Sequence, residues 1–423
     1  MSATLGRRTF GPMAHGRCFR TVRLSSTATG SFHRRTPLPP SEETLTLLQT
    51  YENLSPQPVP LRTVISFGEQ LSPDSVVASA HFTLTEIPKR LAQRVRSLDC
   101  LPFIVGTNPF IARIHELYQR SFSALATYPA PTNIEENRAF TRRLESLVDA
   151  HSDDIPILAK GFRESARYIT PAATSAFLDE IIRSRIAVRL IAEQHIAVSH
   201  ALETPQEGGS VTRELGIVNK KTSPKELINM CARFVTELSD ATLGTSPRLV
   251  LEGDLDATFP YVPVHLEYIL TEVLKNSYRA TVEHHHDDPG PLPPVVVTIA
   301  SSLLPPSPQR PAYMSIRIRD QGGGVSPANM KNIFSYAFTT ADSKGALSPT
   351  GDDGLDGEIT GKGLQTGLGS IAGLGYGLPL ARLYASYFGG GSGLELVPLY
   401  RFGTDVFIKL RVLDMKGGEE VMI

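Results

Sequence analysis

Residues 266–281 read LEYILTEVLKNSYRAT, and the rest of the chain takes its meaning from them. Leu266, Ile269, Leu270, Val273 and Leu274 recur at helical spacing, so the stretch predicts a helix with one face turned to a core. Glu272, Asn276 and Arg279 stand at i, i+4 and i+7 and share another face. A carboxylate, a carboxamide and a guanidinium on one stripe form a set able to hold a metal ion and a polyphosphate.

Two glycine-rich turns follow. The first, Asp320-Gln321-Gly322-Gly323-Gly324, closes a strand-like run, Tyr313–Arg319, in which Met314, Ile316 and Ile318 alternate with polar residues. Asp320 accepts hydrogen bonds and suits an exocyclic amine such as that of adenine. Gly322 and Gly324 allow the backbone to pass close to a ligand. The second turn, Gly373-Leu374-Gly375-Tyr376-Gly377-Leu378-Pro379, precedes Leu380, Leu383, Tyr384 and Tyr387 at helical spacing. Free N–H groups at such a helix start bind anions. Neither a dinucleotide-binding fingerprint nor a P-loop is present. Residues 341–373 between the turns are poor in apolar side chains, as expected of a functional lid or an insert.

Strand-like runs at Arg248–Glu252, Val295–Ala300, Leu394–Val397 and Val406–Val412 complete an α/β sandwich, with helices on one face of a mixed sheet. Upstream the pattern is helical. Asn108-Pro109 is an N-cap with Pro at the first helical position, followed by Ile111, Ile114, Tyr118, Phe122 and Leu125 at helical spacing. Phe177, Ile181, Val188, Ile191 and Val198 mark a second long helix, and others are expected near 84–98 and 134–165. Several long amphipathic helices imply an antiparallel bundle. The fold class is therefore α+β: an N-terminal bundle, 37–205, then an α/β sandwich domain, 206–423. Residues 205–222 read as a polar connection, and Ser223-Pro224-Lys225-Glu226 as the capped start of the next helix. His195 and Cys231 fall on apolar stripes and read as core residues. His284-His285-His286-Asp287-Asp288 reads as a solvated loop rather than a metal site.

Composition narrows the function. Residues 1–40 contain seven arginines and no Asp or Glu, the composition of a mitochondrial transit peptide, placed at 1–36. The remainder is acidic, which argues against nucleic acid as a partner. No run reaches the ~18 apolar residues of a membrane span. Cys18, Cys100 and Cys231 lie far apart and suggest neither a disulfide framework nor a zinc site.

The order Glu-x-x-x-Asn, Asp-x-Gly-x-Gly, Gly-x-Gly-x-Gly resembles the nucleotide-binding fold of gyrase, heat-shock chaperone ATPases, histidine kinases and mismatch-repair ATPases. LPFIVGTNPFIARIHELYQRSF (101–122), LKNSYRATVE (274–283), FTTA (338–341), GLGYGLPLARLYASYFGG (373–390) and GTDVFIKLR (403–411) are similar to the mitochondrial 2-oxo acid dehydrogenase kinases, pyruvate and branched-chain types alike. That resemblance implies a matrix protein-serine kinase that uses ATP and Mg2+ to phosphorylate and inactivate the decarboxylase component. It implies docking on the lipoyl-bearing acyltransferase core, a homodimer through the ATP domains, and a small-molecule regulatory pocket in the bundle. It gives Asn276 to magnesium, Glu272 to the substrate hydroxyl and Asp320 to adenine. It sets Thr339 and Thr340 beside the nucleotide, and Gly373 to Leu378, with Gly375, Tyr376 and Gly377 between, around the phosphates. The chain departs from the pyruvate type in having no Trp, and hence no C-terminal Asp-Trp pair; its tail, KGGEEVMI, is unlike that type's. Ala372 stands where the family usually has His or Ser. Two other readings are a two-component histidine kinase with His115 as phosphoacceptor, and an ATP-gated conformational module.

Overall fold

A computed structural model describes residues 41–203, 216–301, 312–336, 375–413 and 421–423. Its first half is helical: α1 (Glu42–Glu52), α2 (Leu61–Glu69), α3 (Pro73–Asp99), α4 (Phe103–Gly106), α5 (Pro109–Ala126), α6 (Ile134–Ala150), α7 (Asp154–Glu164) and α8 (Pro171–Glu203). Helix α3 packs against α5, α6 and α8. The expected stripe on α5 is the buried one: Ile111, Ile114, Tyr118, Phe122 and Leu125 all face the core. Asn108 caps that helix, its side-chain oxygen accepting the Phe110 N–H at 3.0 Å. His195 is fully buried on α8, bonded to Ser79, Thr141 and Ser199, and burial lowers its pKa to about 4. It is a core histidine.

The second half contains β1 (Asn219–Thr222), α9 (Pro224–Leu243), β2 (Leu249–Gly253), β3 (Phe259–Tyr261), α10 (Pro263–His284), β4 (Val295–Ser301), β5 (Tyr313–Asp320), α11 (Pro327–Met330), α12 (Gly377–Ser386), β6 (Gly393–Leu399) and β7 (Gly403–Arg411). Five strands form one mixed sheet in the order β2-β4-β5-β7-β6. The β2–β4 pair is parallel and the others are antiparallel. Helices α9, α10 and α12 pack together, with α10 also on β5 and α12 on β6 and β7. Val295, Val297, Ile299, Met314, Ile316, Ile318, Val406, Ile408 and Leu410 are buried under them. Phe407, Val397 and Leu399 are exposed. Cys231 is buried on α9, its thiol 3.6 Å from the Glu267 carbonyl and pushed up to about 11 by burial.

The structure differs from the sequence reading at the junction of the halves. Asn219–Thr222 is not polar connection but a strand, paired antiparallel with Phe259–Tyr261. A second pairing joins distant parts of the chain. Val59 and Leu61 N–H donate to the carbonyls of Ile423 and Val421, and Ile423 N–H donates back to Val59. The halves also meet at Tyr336, whose hydroxyl donates to Asp179 of α8 at 2.5 Å.

Candidate active site

The site is built where α10 runs between β5 and the start of α12. Leu266, Ile269, Leu270, Val273 and Leu274 are buried as the periodicity requires. Tyr268, Ser277 and Tyr278 are buried as well, because α9 and α12 cover further sides of the helix. The polar stripe is correspondingly uneven. Glu272 is only 7% exposed, Asn276 one turn later is exposed, and Arg279 is turned onto Glu283 in a 2.6 Å ion pair.

Glu272 is paired through one carboxylate oxygen and packed through the other. Oε1 lies 2.7 Å from Lys275 Nζ. Oε2 lies against the backbone of Gly377, so close that a Cβ there would overlap it. Gly377 opens α12, a ten-residue helix with no side-chain cap. Its N-terminal N–H groups are therefore left to other partners. The buried carboxylate and the mouth of that helix form one feature. Gly375 takes a positive φ of 74°, the left-handed conformation that suits glycine. Leu378 is half-buried. The Tyr376 side chain belongs to the core: its ring is buried and packs on Tyr336 at 5.2 Å, leaving backbone as its contribution to the turn.

Asp320 arrives by strand periodicity. Met314, Ile316 and Ile318 face α10, and two residues on, so does Asp320. Its Oδ1 accepts the N–H groups of Gly322 at 3.0 Å and Thr404 at 3.1 Å. Burial raises its pKa above the usual carboxylate value, opposed by Gly322, Ser277 and Thr404. The carboxylate is anchored in place at an electrostatic cost.

The first glycine turn is fixed by the protein's own packing. A Cβ at Gly322 would meet Ala280, and one at Gly323 would meet the His284 ring. One at Gly324 would meet the carbonyl oxygens of Leu399 and Gly403. The histidine run is not a solvated loop throughout. His284 ends α10, and His285 Nε2 lies 2.9 Å from the Gln321 carbonyl oxygen, bracing the turn. Among the described residues no group of three or more His, Cys, Asp or Glu side chains could hold a metal ion. His115 Nε2 pairs with Asp99 at 2.9 Å.

Thr339, Thr340, Gly373 and the 341–373 segment lie outside the described residues. The structure brings Glu272, Asp320, Gly322, Gly324 and Gly377 around α10, with Asn276 exposed on it, and takes Arg279 to Glu283. Reading the sequence passed over Lys275. Its spacing of three from Glu272 was the available signal, since such pairs are neighbours on a helix.

Comparison with known proteins accounts for both halves. Residues 58–221 match the family described as mitochondrial branched-chain alpha-ketoacid dehydrogenase kinase. Residues 261–414 match the histidine kinase-, DNA gyrase B- and HSP90-like ATPase family. The mitochondrial [pyruvate dehydrogenase (acetyl-transferring)] kinase of Arabidopsis thaliana is 28% identical over 356 residues, 83% of this chain and 89% of that one. The Drosophila melanogaster kinase of the same name is 29% identical over 389 residues, 88% and 86% of the two chains. Isozyme 4 of Mus musculus is 28% identical over 393 residues, 89% and 86%. The helical half thus matches the one family and the sheet half the other, and with these relatives the two matches make the chain a kinase of the mitochondrial pyruvate and branched-chain dehydrogenase kinase type.

Proposed function

We propose that this kinase phosphorylates serine on the decarboxylase component of a 2-oxo acid dehydrogenase complex in the mitochondrial matrix, and so inactivates it. The branched-chain complex is our first assignment. The family match of 58–221 supports it, and the pyruvate complex, after which the similar kinases are named, is the alternative. Residues 1–36 act as the transit peptide, 37–205 as the docking bundle and 206–423 as the kinase domain. The bundle engages the complex's lipoyl-bearing acyltransferase core.

The observation that carries this reading is the seat of Glu272, a buried carboxylate at the uncapped start of α12. Phosphoryl transfer asks chiefly for positioning and charge neutralisation. Bound Mg-ATP supplies the transferable phosphoryl group. The backbone from Gly375 to Leu378 receives its phosphates, Asn276 offers its exposed carboxamide oxygen to the magnesium ion, and Asp320 accepts the adenine amine. Glu272 then orients the serine hydroxyl and takes its proton, the part a carboxylate one turn from the metal-binding residue can play. Gly322 and Gly324 shape the turn that carries Asp320.

Two further parts complete the proposal. The exposed Phe407, Val397 and Leu399 on the open face of the sheet support a homodimer through the ATP domains. The cavity among α3, α5, α6 and α8, lined by Arg94, Tyr118, His151, Arg185 and Arg189, is the regulatory pocket. In its lining, buried nitrogens of Arg94 and Arg185 and a buried oxygen of Asp154 have no hydrogen-bond partner among the described residues, so a small polar ligand that both accepts and donates suits it.

Labelled ATP and each purified decarboxylase test the activity. Label on serine in the branched-chain component is expected. No label on serine in either component would sink the reading. Acid-labile label lost on His115→Gln would point to histidine transfer.

A further inference from the structure

The seat of Glu272 poses an electrostatic problem. Its Oε2 lies against Gly377, at the first turn of α12. The proposed function, on which this inference rests, brings a polyphosphate to that same turn. A carboxylate and a polyphosphate a few ångströms apart repel strongly where water is scarce. Lys275 is the cation the structure sets against the carboxylate, at 2.7 Å, and both side chains are nearly out of solvent, at 14% and 10% exposure. The pair is local to one helix and follows from the spacing Glu272-x-x-Lys275.

We infer that Lys275 is a positioning residue that neutralises Glu272, so that the catalytic carboxylate and the nucleotide's phosphates occupy the α12 mouth together. It does this without touching the nucleotide. The ammonium also fixes the Oε1 edge, leaving the remaining lone pairs of the carboxylate directed at the mouth. Without it, Glu272 would act as an uncompensated anion guarding the phosphate site.

That account predicts an unusual rescue. Lys275→Met should weaken ATP binding by the full-length protein roughly tenfold, the scale of losing one partly buried charge partner. Adding Glu272→Gln to Lys275→Met should restore that affinity, although phosphoryl transfer stays lost. Lys275→Arg should keep both affinity and turnover near the starting level. Binding is read by titrating each variant with a fluorescent ATP analogue, alongside a thermal melt. If Lys275→Met destabilises the fold, Lys275→Gln carries the same expectation. Unchanged affinity in the neutral variants overturns the inference. So does a loss of affinity that Glu272→Gln fails to restore, which would make Lys275 a direct phosphate contact. A starting protein that binds no ATP overturns the proposed function as well, whereas normal binding with insensitive variants overturns the inference alone.

Discussion

Glu272 and Gly377 interlock across two helices: one carboxylate oxygen of Glu272 stands where a side chain on residue 377 would have to be. If Glu272 is the general base proposed above, the glycine is part of the catalytic geometry. Gly377→Ala should force Glu272 out of its seat and lower turnover by roughly two orders of magnitude, the scale of a misplaced general base. Overpacking costs about 1–3 kcal/mol of stability. Steady-state kinetics together with a urea melt separate the two effects. Normal turnover in a folded variant would contradict the assignment.

Asp320 should trade stability for binding. Its folded pKa is raised above 3.8 by burial, so the native state holds its proton more tightly than the unfolded chain. That contribution to stability is present below 3.8 and is lost as pH rises through the folded value. At neutral pH the ionised group is a cost. Asp320→Asn keeps an oxygen for the Gly322 and Thr404 N–H groups. It should melt no lower than the original at pH 7 while weakening ATP roughly tenfold or more, as loss of a charged hydrogen bond does. Calorimetric titration and melts at pH 4 and pH 7 check both halves.

His195 sets an acid limit on the helical half. Its pKa falls from 6.5 to about 4 on burial, so the unfolded state binds the extra proton between those values. Stability should drop as pH falls below 6.5, with a slope approaching ~1.4 kcal/mol per unit from this group. Urea midpoints measured from pH 7 to pH 5 should fall. His195→Asn should be less stable at pH 7 but show a shallower pH dependence. An equal slope in the variant would remove His195 as the cause.

The open sheet face should govern assembly. Phe407 is exposed at the centre of β7. Phe407→Asp should convert a dimer into monomer at micromolar concentration while leaving the helical circular dichroism unchanged. Sedimentation that is the same for both proteins would place any dimer contact elsewhere.

Much of this arrangement was legible from residue order. Helix α10 declared itself because five large apolar residues recur at one spacing, and β5 because three alternate. Asp320 followed, since a period of two carries the inward face of β5 to its end. The parts that escaped depend on remote partners. Asn219-Lys220-Lys221-Thr222 has no strand composition, and it is extended because Phe259–Tyr261 lies beside it. The burial of Glu272 depends on α12, more than a hundred residues away in sequence, closing over it. Arg279 joins the stripe because spacing shows which residues share a face. Spacing does not show that Glu283, four residues on, has already engaged the guanidinium.

The bridge between Val59–Leu61 and Val421–Ile423 gives the chain a timetable. Residues 59–61 leave the ribosome about 360 residues before the backbone groups at 421–423 that they pair with. Until then the N–H groups of Val59 and Leu61 and the Val59 carbonyl lack those partners. Entropy makes such a closure slow relative to local folding, but only logarithmically more costly as the intervening chain lengthens. The start of the second helix of the helical half is thus tied to the far end of the chain, and a polypeptide stalled before residue 421 would leave those three backbone groups without these bonds.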